Sequence, residues 1–225
     1  MNGKWIYLAQ RNPRLSREQF FARWLKHRQL GAQPAMAAEF VTATYCAVRP
    51  EGPALDGLTD EYDGVGVFAL RHLASIPLVA QFLKQDYAQA DEKRFFTTTS
   101  DNFSIFCAEE IIREGDDTKV VLLQFLRRKM EVGPSDFAQR WRESHASQIL
   151  QNKNFAKPVS RYIQNTVIAS PPGFGYSGIA EFWFDGADGI ADSVSELNHL
   201  MADDFIDQKN SFCVLTDVIM AKPRK

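Results

Sequence analysis

The chain has 225 residues and a mass of 25.5 kDa, enough for one large domain or two of roughly 110 residues. Hydrophobic residues make up 45% and charged residues 24%, which excludes bulk disorder. A net charge of −2 with a pI near 6.1 offers no basic face for nucleic acid, and apolar runs such as Lys119–Leu126 fall well short of the roughly 20 residues of a membrane span. The first ten residues lack the apolar segment and small-residue cleavage site of a secretory leader. Cys46, Cys107 and Cys213 have no metal or redox spacing. They read as buried small hydrophobes in a reduced, cytoplasmic protein.

In chain order, Trp5-Ile-Tyr-Leu-Ala9 is strand-like, and Ser16-Arg-Glu-Gln19 is a capping box opening a helix. Phe20, Trp24 and Arg28 follow at four-residue steps and share one helical face. A second strand contains Val41–Val48, turn-rich Arg49-Pro-Glu-Gly-Pro53 follows, and a third strand lies at Tyr62-Asp-Gly-Val-Gly-Val-Phe68. A second helix is predicted over Ile76–Lys93 and a fourth strand over Phe103–Ile112. The polar segment Arg113–Thr118 reads as a linker.

After the linker the pattern repeats. At an offset of 117, Arg11, Phe20, Arg23, Trp24 and Tyr45 meet Arg128, Phe137, Arg140, Trp141 and Tyr162. At 114, Tyr62, Gly64 and Phe68 meet Tyr176, Gly178 and Phe182. At 109, Phe96, Phe103 and Ile105 meet Phe205, Phe212 and Val214. The offset shrinks where Gly and Pro mark loops. Strands at Val120–Phe125, Ser160–Val167, Tyr176–Phe182 and Phe212–Met220 and helices from Pro134 and over Ile190–Met201 complete the second copy.

Two tandem modules, 1–115 and 116–225, each of order βαββαβ, give an α+β fold of duplicated ferredoxin-like units. Each sheet carries helices on one face only, so the bare face must be buried. Packing the two sheets against each other as an α+β barrel does this, and the cavity between them is the expected ligand site. Closure within one chain and closure between two, as a homodimer, bury the same faces.

The segment from Arg11 through Phe20, Trp24 and His27 resembles the opening of the EthD family, within the dimeric α+β barrel superfamily. Arg128 through Phe137, Trp141 and His145 is similar to it again and keeps its Phe, Trp, His spacing of four. The Tyr-x-Gly-x-x-x-Phe strands and Asp203-Asp204-Phe205 extend the likeness over nearly the whole chain. In the first copy Arg28 stands at the family's histidine, and His27 is one place early, rotated by about 100°. The resemblance implies a protein without metal or organic cofactor. Members of the superfamily include lyases, isomerases and cofactor-free monooxygenases, many acting on aromatic compounds.

His145 is the leading candidate for a general acid/base, with His27 its weaker counterpart. Tyr162 is placed with them as a group that could polarise a substrate, and Asn165, three residues on, belongs to the opposite strand face. Tyr45, Tyr62 and Tyr176 are candidates to line an aromatic-binding cavity, and Arg28 and Arg49 to hold a carboxylate or an oxyanion. His199 near Asp203 and Asp204 lacks a second ligand pair, so no metal site is read there. The expectation is a carbon–carbon lyase acting on a small hydrophobic phenolic compound in catabolism, releasing carbon dioxide or an aldehyde. A cofactor-free monooxygenase or isomerase of aromatic compounds, or a carrier of an aromatic metabolite, is the alternative.

Overall fold

In the computed structural model, residues 2–27, 38–49, 58–116, 118–186, 190–200 and 203–223 are described, apart from the side chains of 191, 198–200, 222 and 223. The first copy comprises β1 (Asn2–Ala9), α1 (Arg17–His27), β2 (Phe40–Val48), β3 (Gly64–Leu70), α2 (Ile76–Phe82), α3 (Asp86–Glu92) and β4 (Ser104–Arg113). The second comprises β5 (Val120–Leu126), α4 (Pro134–Arg140), a π-helical turn (Trp141–His145), α5 (Ala146–Gln151), α6 (Lys153–Ala156), β6 (Val159–Ala169), β7 (Gly178–Phe184), α7 (Ile190–Leu200) and β8 (Phe212–Pro223). None of the described helices is long and apolar enough to cross a membrane.

The two-residue period of the strands sorts their side chains. On β1, Trp5, Tyr7 and Ala9 turn toward the helices of the first copy, while Ile6 and Leu8 turn the other way, into an apolar cluster shared by both copies. On β5, Leu122 and Leu126 face the helices of the second copy, and Val121, Leu123 and Phe125 join the shared cluster. The shared cluster fills the inside of one closed barrel, ordered β1-β3-β2-β8-β5-β7-β6-β4. All pairings are antiparallel, and β2–β8 and β4–β6 join the two copies. The chain therefore closes its own barrel, and the sheets meet edge to edge through backbone hydrogen bonds as well as through their apolar faces.

The register corrects one alignment. Val67 faces Thr44 as Glu181 faces Ile163, so the second strand repeats at an offset of 119. Tyr45 thus corresponds to Gln164, and Tyr162 to Ala43. A bulge at Phe40/Thr42 recurs at Val159/Arg161, in keeping with this offset.

The helix starts follow the sequence signals. The Ser16 hydroxyl accepts from the Gln19 amide at 3.1 Å, and the Gln19 side chain accepts from the Ser16 amide at 3.0 Å, a complete capping box. Pro134 occupies the first turn of α4. The helix expected over Ile76–Lys93 is broken, because Gln85 is extended. Val79 and Ala88 are both buried, yet nine residues of continuous helix would set them on opposite faces. The break resets the phase.

The repeated glycines also have a common cause. A methyl group on Gly64 would sit 2.5 Å from the Trp24 ring, and one on Gly178 would sit 2.5 Å from the Trp141 ring. Each tryptophan, fully buried in the first helical segment of its copy, packs its ring against the bare backbone of the third strand. Gly64→Ala and Gly178→Ala are each expected to destabilise the fold by about 1–3 kcal/mol through overpacking. Thermal unfolding of the two variants checks this, and an unchanged Tm in both would remove the glycine requirement.

Candidate functional site

Each copy packs a core between its helices and the outer face of its sheet, and the two cores differ in how their polar groups are satisfied. In the first, Trp24 Nε1 donates to Tyr7 Oη at 2.8 Å. His27 is held at both ring nitrogens, with Nδ1 at 2.7 Å from Asp91 Oδ2 and Nε2 at 3.5 Å from Glu92 Oε1. Glu92 in turn accepts from the backbone and hydroxyl of Ser100. Eleven aromatic side chains, from Trp5 and Tyr7 to Phe103 and Phe106, fill the remainder.

The second copy replaces Tyr7 with Gln124, and the corresponding bond is missing. Both polar atoms of the Gln124 side chain, Trp141 Nε1 and His145 Nε2 are buried without a hydrogen-bond partner. Each orphaned group costs about 1–3 kcal/mol of desolvation unless a ligand or water completes it. His145 is 0% exposed, with its Nδ1–H donating to Asp203 Oδ2 at 2.7 Å and its ring edge-on to Phe205. In a neutral imidazole, a carboxylate at Nδ1 favours the tautomer with its proton there and the lone pair on Nε2. The Arg140 guanidinium lies over the Phe205 ring, 4.7 Å from its centroid, and pairs with Asp204. The π-helical turn spans Trp141 to His145, and the Trp141 carbonyl accepts from both the Ala146 amide and Gln164 Nε2. Such turns recur at functional sites, and this one occurs only in the second copy's first helix among the described residues.

The sequence candidates do not converge on one cavity. Tyr162 points outward to the helices, not into the barrel; it stacks on Phe182 at 4.6 Å and accepts from Gln164 Nε2 at 2.7 Å. Burial pushes its phenol well above the ordinary range. Tyr45 is likewise on the helix side, edge-on to Trp24 and Phe68. The expectation that Tyr162 rather than Asn165 lines the space between the sheets is reversed: the face rule holds, and Asn165 is the inward residue. Tyr62 and Tyr176 do meet, at one end of the barrel, where both pack on Phe212 and Arg127 lies over the Tyr176 ring. Burial, then the neighbouring Tyr176, lift the Tyr62 phenol to about 12. Arg49 is engaged by Asp217 through two bonds of 2.8 and 2.6 Å across the β2–β8 seam, which makes it a brace between copies. Arg28 lies outside the described residues, as does the side chain of His199. All three cysteines are buried, and burial raises the Cys46 and Cys213 thiols to about 12.

Sequence reasoning missed Gln124 and Trp141 as site groups, and also Lys4, Glu109 and Glu181 inside the barrel. Lys4 sits in an otherwise apolar strand, which was the available signal.

His27 supplies a pH test of the first copy's latch. Burial pulls its pKa down, but hydrogen bonds and charge from Glu92 and Asp91 outweigh this and raise it. A raised folded value means that the contribution is fully present below the ordinary histidine range and is lost as pH rises through the folded value. His27→Gln is therefore expected to lower Tm more at about pH 6 than at about pH 9. An equal loss at both pH values would refute the charged latch.

No family model matches the chain, and no curated protein sequence matches it. Solved structures do match in shape. A candidate monooxygenase from Fusobacterium nucleatum aligns with a TM-score of 0.62 at 8% identity, over 99% of this chain and 94% of that one. An anthrone oxidase-like protein aligns with a TM-score of 0.62 at 8% identity, over 98% and 92%. A candidate chlorite dismutase aligns with a TM-score of 0.60 at 9% identity, over 97% and 95%. At such identities the likeness is one of fold: an eight-stranded antiparallel α+β barrel, closed here within a single chain.

Proposed function

We propose that this protein is a cofactor-independent oxygenase of an activated aromatic compound with an acidic methylene, of the anthrone type, with its site in the second copy. The observation that carries the reading is the His145–Asp203 pair, whose Nε2 is unpartnered on the same side of the sheet as the unpaired Gln124 and Trp141 groups. The EthD-like spacing, kept at His145 and lost at Arg28, supports the same choice of copy. The monooxygenase and anthrone oxidase-like neighbours favour oxygen chemistry over the lyase expected from sequence.

In this mechanism His145 Nε2 removes a proton from a carbon flanked by aromatic rings or a carbonyl, and Asp203 steadies the imidazolium. Trp141 Nε1–H and the Gln124 amide donate to the enolate oxygen. The enolate reduces dioxygen and combines with it as a hydroperoxide, which loses water. A methylene and dioxygen thus become a carbonyl and water, with the substrate as the only reductant.

Purified protein and a panel of anthrones, hydroquinones and simple phenols, without added cofactor, test the reading in an oxygen electrode with mass analysis of products. Oxygen uptake with a methylene-to-carbonyl mass change is the expected result, and His145→Ala should lower the rate by about 10²–10⁴-fold. Fragment loss without oxygen uptake would return the assignment to a lyase. Turnover indifferent to His145 in a folded variant would remove the mechanism.

A further inference from the structure

The interior of the barrel is not uniformly apolar. Lys4 Nζ lies 2.7 Å from Glu109 Oε2 and 2.7 Å from Glu181 Oε1, with all three side chains nearly sealed from solvent. Glu181 also accepts from Asn165 at 2.8 Å and from Trp183 Nε1 at 3.2 Å. Burial pulls the Lys4 pKa down, but the two carboxylates outweigh it and hold the group as an ammonium. Lys4, Glu109, Glu181 and Trp183, with Arg161 and Thr44, line a cavity of about 180 Å³. It lies at the end of the barrel away from the Tyr62 and Tyr176 cluster.

The pseudo-symmetric positions of the other copy build the same barrel without this charge. Lys4 pairs with Ala69 as Val121 pairs with Trp183, so the counterparts of Lys4 and Trp183 are Val121 and Ala69. The counterpart of Glu181 is Val67, that of Glu109 is Val218, and that of Arg161 is Thr42. Every charged position is neutral across the pseudo-twofold. Buried ion clusters contribute little net stability compared with packed hydrophobes, so another role is the better account of their presence.

Hydrogen-bond counting gives the ligand's chemistry. Lys4 has three protons, and the two glutamates take two. Glu181 is occupied at both oxygens, whereas Glu109 is engaged only at Oε2 among the described residues. Thr44 is 4% exposed and has no side-chain bond among the described residues. What remains is one donor on a cation, one acceptor on an anion and one hydroxyl.

From this we infer that the barrel-end cavity is a binding site for a compact zwitterion carrying an ammonium and a carboxylate, of the size of a free amino acid. The ammonium is received by Glu109 and Thr44, and the carboxylate by the remaining proton of Lys4. The site is separated by the wall of the barrel from the core around His145 and stands independently of the oxygenase reading.

Calorimetry of the intact protein with a panel of free L-amino acids, and with propylamine and butyrate as singly charged controls, tests the site. At least one amino acid should bind saturably, with each control weaker by about tenfold or more. Glu109→Gln should weaken the zwitterion by about tenfold or more, and Ala69→Phe, which fills the cavity from its apolar side, should abolish binding. His145→Ala should leave this binding unchanged. No amino acid binding up to about 10 mM would overturn the proposal, as would a control binding equally well or binding that survives Ala69→Phe in a folded protein.

Discussion

The structure depends on how two half-open sheets dispose of their edges and bare faces. A four-stranded sheet with helices on one side leaves an apolar face and two edge strands, both of which invite association. Joining β2 to β8 and β4 to β6 removes all four edges at once and turns both bare faces inward. Arg49 and Asp217 brace one seam, and side chains of both copies fill the common interior. Because side chains seal the barrel along most of its length, the molecule has separate regions: a helix-side core in each copy, an apolar barrel interior and a cavity at one barrel end.

Once these regions are separate, the copies can diverge without disturbing closure. The first copy is saturated: Tyr7 satisfies Trp24, and Asp91 and Glu92 satisfy His27. The second exchanges that tyrosine for Gln124, moves the histidine one place along the helix and introduces a π-helical turn. The result is a set of buried polar groups that the protein itself leaves unmet. A native fold normally minimises such groups, so their concentration in one copy, beside a histidine in contact with a carboxylate, is the asymmetry on which the proposed site rests. The same divergence placed Lys4, Glu109, Arg161 and Glu181 opposite neutral counterparts in the barrel.

Much of this was legible in the residues, and the failures have specific causes. The duplication, the capping box at Ser16 and the alternation that separates Tyr162 from Asn165 are local or periodic, so they survive translation into three dimensions. Tyr45 and Tyr162 were matched because identical residues at a constant offset look equivalent. Two extra residues between the first helix and second strand of the second copy moved the true partner of Tyr45 to Gln164. The long second helix was broken because tertiary packing demanded both Val79 and Ala88. A composition of 17 Phe suggested an aromatic-lined cavity, yet those rings mostly fill the helix-side cores.

The sequence by itself determined the two βαββαβ units, their face polarity and the histidine that keeps its register, because periodicity and capping act over a few residues. Tertiary structure alone decided that the barrel closes within the chain, that Nε2 of His145 is open while both nitrogens of His27 are held, and that Lys4 meets Glu109 and Glu181. These are relations between groups 58 to 177 residues apart for the hydrogen bonds concerned, set by strand register and helix phase. A one-residue change in register would turn each inward carboxylate to the outer face. No local reading of the chain contains that information.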